Sequence, residues 1–262
     1  MYFPLSLLTL LTTSALTTAL PSQAKGTKPP AFFLAGDSTT ATQSPGGGGW
    51  GDGFLNTTLS HNATGKNFGH NGATTVSFRS GGDWALVLAA ARAALPSASP
   101  YVTIQFGHND QKPEKNISIA AFTANLVKMV EEVRAVPAVP ILVTSLSRRS
   151  YKNDTDGVPK IVENLADVVG GTKDAAEKSG ASIIDLNAAS EKYLNAIGPD
   201  NAHTYNLNPT DNTHLNVQGS VVFGNMVAGL MVGEVPKLGK WVREVKEIKA
   251  AIEAGRYYWP KV

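Results

Sequence analysis

Short apolar runs alternate with amphipathic stretches along this chain, and that alternation limits its fold more than any other feature. Residues 31–36 (AFFLAG), 101–107 (YVTIQFG), 139–146 (VPILVTSL) and 181–186 (ASIIDL) read as strands apolar on both faces. Residues 66–70 form a weaker fifth run. Between them lie helical patterns. One is capped by Asp83 and ends at Leu95, before Pro96; the next carries Phe122, Leu126, Met129, Val130 and Val133 on one face. A glycine-interrupted helix is expected around 161–178, a largely apolar one over 217–231, and a last one with Trp241, Val245, Ile248 and Ile252 inward. Buried strands separated by helices imply a parallel sheet covered on both faces. In such sheets the ligand site lies at the carboxyl ends of the strands.

The chain has 262 residues, enough for one domain with a sizeable core. With 42% hydrophobic and 17% charged residues, disorder is disfavoured. The net charge of +2 is too small for a dedicated nucleic-acid binder. The absence of cysteine excludes disulfides, thiol catalysis and thiolate metal sites. Residues 1–24 carry no charge, include an apolar run diluted by threonine and serine, and end in Ser22-Gln23-Ala24. They read as a secretory signal peptide, too short in apolar length for a bilayer span of ~20 residues. The domain is then 25–262 and the protein extracellular, with no membrane partner. Sequons at Asn56, Asn62, Asn116 and Asn153 suit that route as glycosylation candidates.

Three expected strand or helix boundaries carry chemistry. Ser38 follows the first strand in Gly36-Asp37-Ser38-Thr39, placed either as a nucleophile or as a helix cap. Asn109 follows another strand in Gly107-His108-Asn109-Asp110, where its amide can face a developing oxyanion. Asp211 and His214 are three residues apart, so one turn lets the carboxylate orient the imidazole. No Gly-x-Ser-x-Gly elbow occurs, which disfavours the common α/β-hydrolase arrangement.

These motifs resemble those of the SGNH, or GDSL-type, hydrolases. LAGDSTTA (34–41), NFGHNGATTVSF (67–78), QFGHNDQ (105–111) and DNTHLNVQG (211–219) are most similar to rhamnogalacturonan acetylesterases of carbohydrate esterase family 12. The resemblance implies a three-layer α/β/α sandwich, flavodoxin-like, with a five-stranded parallel sheet in the order 2-1-3-4-5. It implies Ser38 as nucleophile, His214 as base, Asp211 as acid, and Ser38, Gly72 and Asn109 as the oxyanion hole. No metal or organic cofactor is implied. The substrate class implied is acetylated plant cell-wall polysaccharide, pectic rhamnogalacturonan first. A neutral His214 is required, so activity is expected to fall on acidification. Rival readings are a GDSL esterase for acetylated xylan or lipid, and a catalytically silent glycan-binding protein on the same fold.

Other features compete for roles. Gly46–Gly51 matches Gly-x-Gly-x-x-Gly but does not open a helix at a strand end, so a mobile loop beside the cleft is expected rather than a dinucleotide site. Residues 152–163 imitate a calcium loop but begin with Lys152, and a solvated loop is expected. His203 and Tyr205 either contact sugar or belong to a polar loop. Arg79, Arg148 and Arg149 either bind a substrate carboxylate or make surface salt bridges. The Tyr257-Tyr258-Trp259 tail is expected to pack on the body. A monomer is expected.

Overall fold

The computed structural model describes residues 27–262, so the expected signal segment lies outside the described residues. Five strands form a parallel sheet: β1 (Pro30–Gly36), β2 (Thr64–Asn67), β3 (Ser99–Gln105), β4 (Val139–Val143) and, last in sequence, β7 (Ser182–Ile184). Their order is β2-β1-β3-β4-β7, so the expected 2-1-3-4-5 arrangement is present. β1 is buried along its whole length, and its side chains alternate between two cores. Ala31, Phe33 and Ala35 face one side; Phe32 and Leu34 face the other.

On the first side the sheet is covered by α2 (Thr75–Ser80), α3 (Asp83–Ala94), α4 (Ile119–Ala135) and α5 (Ala166–Ser179). On the second lie α1 (Gly51–Thr57), α6 (Leu186–His203) and α7 (Val217–Glu234), with α8 (Lys246–Glu253) against α7. This is the three-layer sandwich expected from the strand and helix pattern. α7 is buried around most of its circumference, as its apolar composition requires.

Several boundaries differ from expectation. Asp83 is the first helical residue of α3 rather than its cap; Gly82 takes that position at φ +95°, which glycine adopts without strain. α5 starts at Ala166 because residues 151–161 form an antiparallel hairpin of β5 (Tyr151–Asn153) and β6 (Pro159–Ile161). The expected solvated loop is thus an ordered ribbon, its turn held by Asp154 Oδ1 accepting from the Asp156 and Val158 N–H groups. Trp241 lies before α8, after a 3-10 turn. α1, α2 and α6 were not expected. α6 hides its period behind a break at Gly198 (φ +73°) followed by Pro199.

The crossing of α1 and α7 depends on two glycines. A Cβ on Gly53 would lie 1.9 Å from the Ser220 carbonyl oxygen, and one on Gly224 2.2 Å from the Phe54 nitrogen. Gly224→Ala is expected to destabilise the fold by about 1–3 kcal/mol, lowering Tm by about 3–10 °C. Gly233→Ala, in the same helix but facing open space, serves as the control and should leave Tm nearly unchanged. Equal melting of the two variants would show that the crossing tolerates a methyl group.

Candidate active site

The strand order reverses at β1, with β2 on one side and β3 on the other, and the chain places Ser38 just beyond β1 and Asn109 just beyond β3. Ser38 Oγ lies 2.7 Å from His214 Nε2, and His214 Nδ1 lies 2.8 Å from Asp211 Oδ2. The carboxylate fixes the tautomer: Nδ1–H donates to Asp211, leaving Nε2 to accept from the serine hydroxyl. Asp211 Oδ1 also accepts from the backbone N–H groups of Thr213 and His214. Burial works to raise the Asp211 carboxyl, but these donors and the imidazole outweigh it and hold the group below its ordinary range.

The Asp211–His214 turn is braced from beneath. Arg149 N–H donates to the Asn212 carbonyl, and its guanidinium donates to the His214 carbonyl and to Asn206 Oδ1. Leu215 N–H reaches the Gly48 carbonyl, and Asn216 caps α7 by accepting from Gly219 N–H.

Ser38, Gly46, Gly72, His108, Asn109, Lys112, Arg148, Thr213 and His214 line a pocket of about 300 Å³. Neither the Ser38 nor the Gly72 backbone N–H donates a hydrogen bond among the described residues. Gly72 sits at φ +77°, so its amide is turned by a conformation that favours glycine. Asn109 Nδ2 gives one hydrogen to the Ala73 carbonyl at 3.0 Å, and its Oδ1 accepts from Lys112 Nζ at 2.8 Å. Flipping the amide would set oxygen against oxygen and NH₂ against ammonium. The orientation is therefore locked from both sides, and the second Nδ2 hydrogen is uncommitted. A larger cavity of about 830 Å³ lies between α1, α7 and the C-terminal tail, but no histidine lines it.

Behind Ser38 the polar residues are buried. Gln105 Oε1 accepts from Thr40 Oγ1 at 2.7 Å and Trp50 Nε1 at 2.9 Å, with Thr39 Oγ1 at 3.1 Å; its amide donates to the Thr144 carbonyl. Burial holds the Asp37 carboxyl up at about 6, against the lowering effect of Thr39. His108 lies 3.8 Å from Asp37, with no hydrogen-bond partner for either ring nitrogen; burial, then the Arg148 charge, push it down to about 3.

The remaining expected residues separate. Arg149 is fully buried and structural, so it cannot bind substrate. Arg79 pairs with Glu132, which accepts from Trp84 as well, and it lies outside the pocket lining. Only Arg148 of the three lines the pocket. His203 donates to the Arg149 carbonyl and packs edge-on against Tyr151, outside the pocket lining. Tyr205 is fully buried in the core, and the tail packs on it, with Trp259 stacked parallel to its ring. The glycine loop is not free. The Gly48, Gly49, Trp50 and Gly51 N–H groups donate to the carbonyls of Ser38, Ala41, Thr39 and Thr40. All four sequon asparagines are exposed.

Lys112, Gln105 and Trp50 were not expected at the site. Two signals were present: Lys112 stands one turn after Asn109, and Gln105 is an amide within an apolar strand.

Residues 34–222 match the GDSL-like lipase/acylhydrolase family. The rhamnogalacturonan acetylesterase RhgT of Bacillus subtilis is 31% identical over 216 residues, covering 77% of this chain and 89% of that protein. Among solved structures, protein YxiM of Bacillus subtilis superposes with a TM-score of 0.65 at 24% identity, covering 81% of this chain and 58% of that one. This chain thus spans little more than half of the solved YxiM chain and 43% of the full YxiM protein. The acetylxylan esterase Axe2 of Geobacillus stearothermophilus superposes at 0.55 and 20% identity, covering 80% and 95%. The chain belongs to the GDSL-like lipase/acylhydrolase family, a family of ester hydrolases.

The buried His108 makes stability depend on pH. Below about 6.5, its ordinary value, the unfolded chain takes up a proton that the folded site refuses until about 3. Folded stability therefore falls with pH through that window. Asp37 acts oppositely between about 6 and 3.8, because its folded carboxyl protonates first. The Tm of His108→Gln is expected to drop less than that of the wild type between pH 6.5 and 4.5. Parallel Tm curves would remove His108 from the acid response.

Proposed function

We propose that this chain is a secreted serine esterase that removes acetyl groups from plant cell-wall polysaccharide, with rhamnogalacturonan its first substrate. The observation that carries this reading is the Ser38–His214–Asp211 hydrogen-bond chain beside three uncommitted N–H donors. The similarity to RhgT supports the substrate. Secretion rests on the composition of residues 1–24, and the exposed sequons are compatible with glycosylation on that route.

His214 Nε2 takes the proton of Ser38 as Oγ attacks the acetyl carbonyl. Asp211 holds the imidazole and stabilises its cation. The developing oxyanion meets the Ser38 N–H, the Gly72 N–H and the free Asn109 N–H, each worth about 3 kcal/mol by analogy with deletion of a single donor. His214 then protonates the departing sugar hydroxyl, leaving an acetyl-Ser38 ester. Water, deprotonated by His214, attacks that ester and releases acetate. These steps draw on the protein's own side chains and backbone N–H groups, with water as the final acceptor of the acetyl group.

Acetate release from acetylated rhamnogalacturonan, acetylated xylan and an aryl acetate tests this. Wild type should turn over the first fastest, and Ser38→Ala should lose about 10⁴–10⁶-fold in kcat while melting like wild type. Turnover of xylan alone would redirect the substrate to that of Axe2; no turnover of any ester would leave a glycan-binding protein. Lys112→Met frees the Asn109 amide to flip. It should lower kcat on the aryl acetate about tenfold with KM little changed, and Lys112→Arg should recover most of the loss. A change in KM alone would assign Lys112 to binding instead.

A further inference from the structure

The catalytic pocket is lined by two permanent cations, Lys112 and Arg148, and by no carboxylate. Arg148 is half-buried, yet its side chain forms no hydrogen bond or salt bridge among the described residues, and its Nε is buried without a partner. Three other arginines each hold at least one protein acceptor, though Arg79 Nε and Arg149 Nη1 are also buried without a partner: Arg79 bonds Glu132, Arg134 the Ser179 and Gly180 carbonyls, and Arg149 Asn206 and His214. A partly desolvated guanidinium with idle donors is unfavourable unless an anion completes it.

We propose that Arg148, with Lys112 beside it, forms a carboxylate subsite that selects acetylated glycans bearing a uronate close to the acetylated sugar. The proposal rests on the polysaccharide esterase reading and adds the residue that discriminates acidic from neutral substrates. The planar fork of Arg148 matches a carboxylate through two parallel N–H donors. Lys112 spends one of its three hydrogens on Asn109 and keeps two for the incoming anion. Burial pushes the Arg148 guanidinium down, and the Asp37 and Asp211 charges only partly offset this, in keeping with a cation that lacks a direct anionic partner. The same lysine holds the Asn109 amide, so an anion seated here lies next to the oxyanion donors and brings its neighbouring acetyl group toward Ser38.

The test uses acetylated uronate-containing oligosaccharides with free carboxylates, and the same oligosaccharides after methyl esterification, with acetate release as readout. Wild type should favour the free acid in kcat/KM by about ten- to a hundredfold, and the preference should shrink as salt is added. Arg148→Gln should reduce the preference to within about threefold, and Arg148→Lys should keep an intermediate preference, charge without fork. Melting curves establish that each variant is folded; if Arg148→Gln is not, the comparison of Arg148→Lys with wild type carries the test. Equal wild-type rates on the two substrates, or a preference that Arg148→Gln retains in full, would overturn the subsite while leaving the esterase reading intact. Acetate from neither glycan, with an aryl acetate still cleaved, would sink the polysaccharide reading and the subsite together.

Discussion

One buried amide holds the chemistry in register. Gln105 ends β3, fully removed from solvent, and its side chain joins three segments. Its oxygen takes hydrogens from Thr40, ahead of the glycine loop, and from Trp50 within it, and its NH₂ reaches the Thr144 carbonyl at the end of β4. Thr39 has one hydroxyl proton to share between Asp37 and this same oxygen. The exits of β1, β3 and β4 are thereby tied together directly beneath Ser38. In a dry interior such bonds are strong and their loss is expensive, so the Ser38 backbone has little freedom to drift. The glycine loop follows from this constraint: it must approach the same segment closely enough for four backbone N–H groups to bond it.

The second half of the site comes from the other end of the chain and is fixed by a different device. Arg149 spends its guanidinium on the underside of the Asp211–His214 turn. Burial lowers its pKa only to about 10, so the charge persists at neutral pH and its field reaches Asp211. Neighbouring Arg148 faces the pocket instead. Two adjacent arginines thus divide into a brace and a pocket wall. Charge density around Ser38 is high: Asp37, Asp110, His108 and Arg148 all lie close to it with their ordinary protonation opposed by burial. This concentration of opposed groups is typical of functional sites and costs stability that the two hydrophobic cores must supply.

Much of the fold was legible in the order of residues. Apolar runs bounded by glycine or polar residues marked four strands of the sheet, because a strand covered on both faces must be apolar throughout; the edge strand β2, TGKN and mostly exposed, met the weak 66–70 expectation only at Lys66 and Asn67. The strand ends located Ser38 and Asn109, and the three-residue spacing of Asp211 and His214 marked the relay. What failed was local. α6 was hidden by Gly198-Pro199, and the 151–161 hairpin carries its charges on an exposed ribbon that pattern alone cannot distinguish from a loop.

The sequence by itself determined the strand–helix alternation and the absence of thiol chemistry, since these depend on composition and local period, while its motifs nominated candidate site residues through their resemblance to a family. Only the tertiary structure decided that Ser38 and His214, 176 residues apart, stand 2.7 Å from each other. It alone separated Arg148 from Arg149 and Arg79, and showed Lys112 clasping Asn109. Partnering of charges is a long-range property: whether an arginine is free, braced or paired depends on which distant carbonyl or carboxylate the packed layers bring within reach.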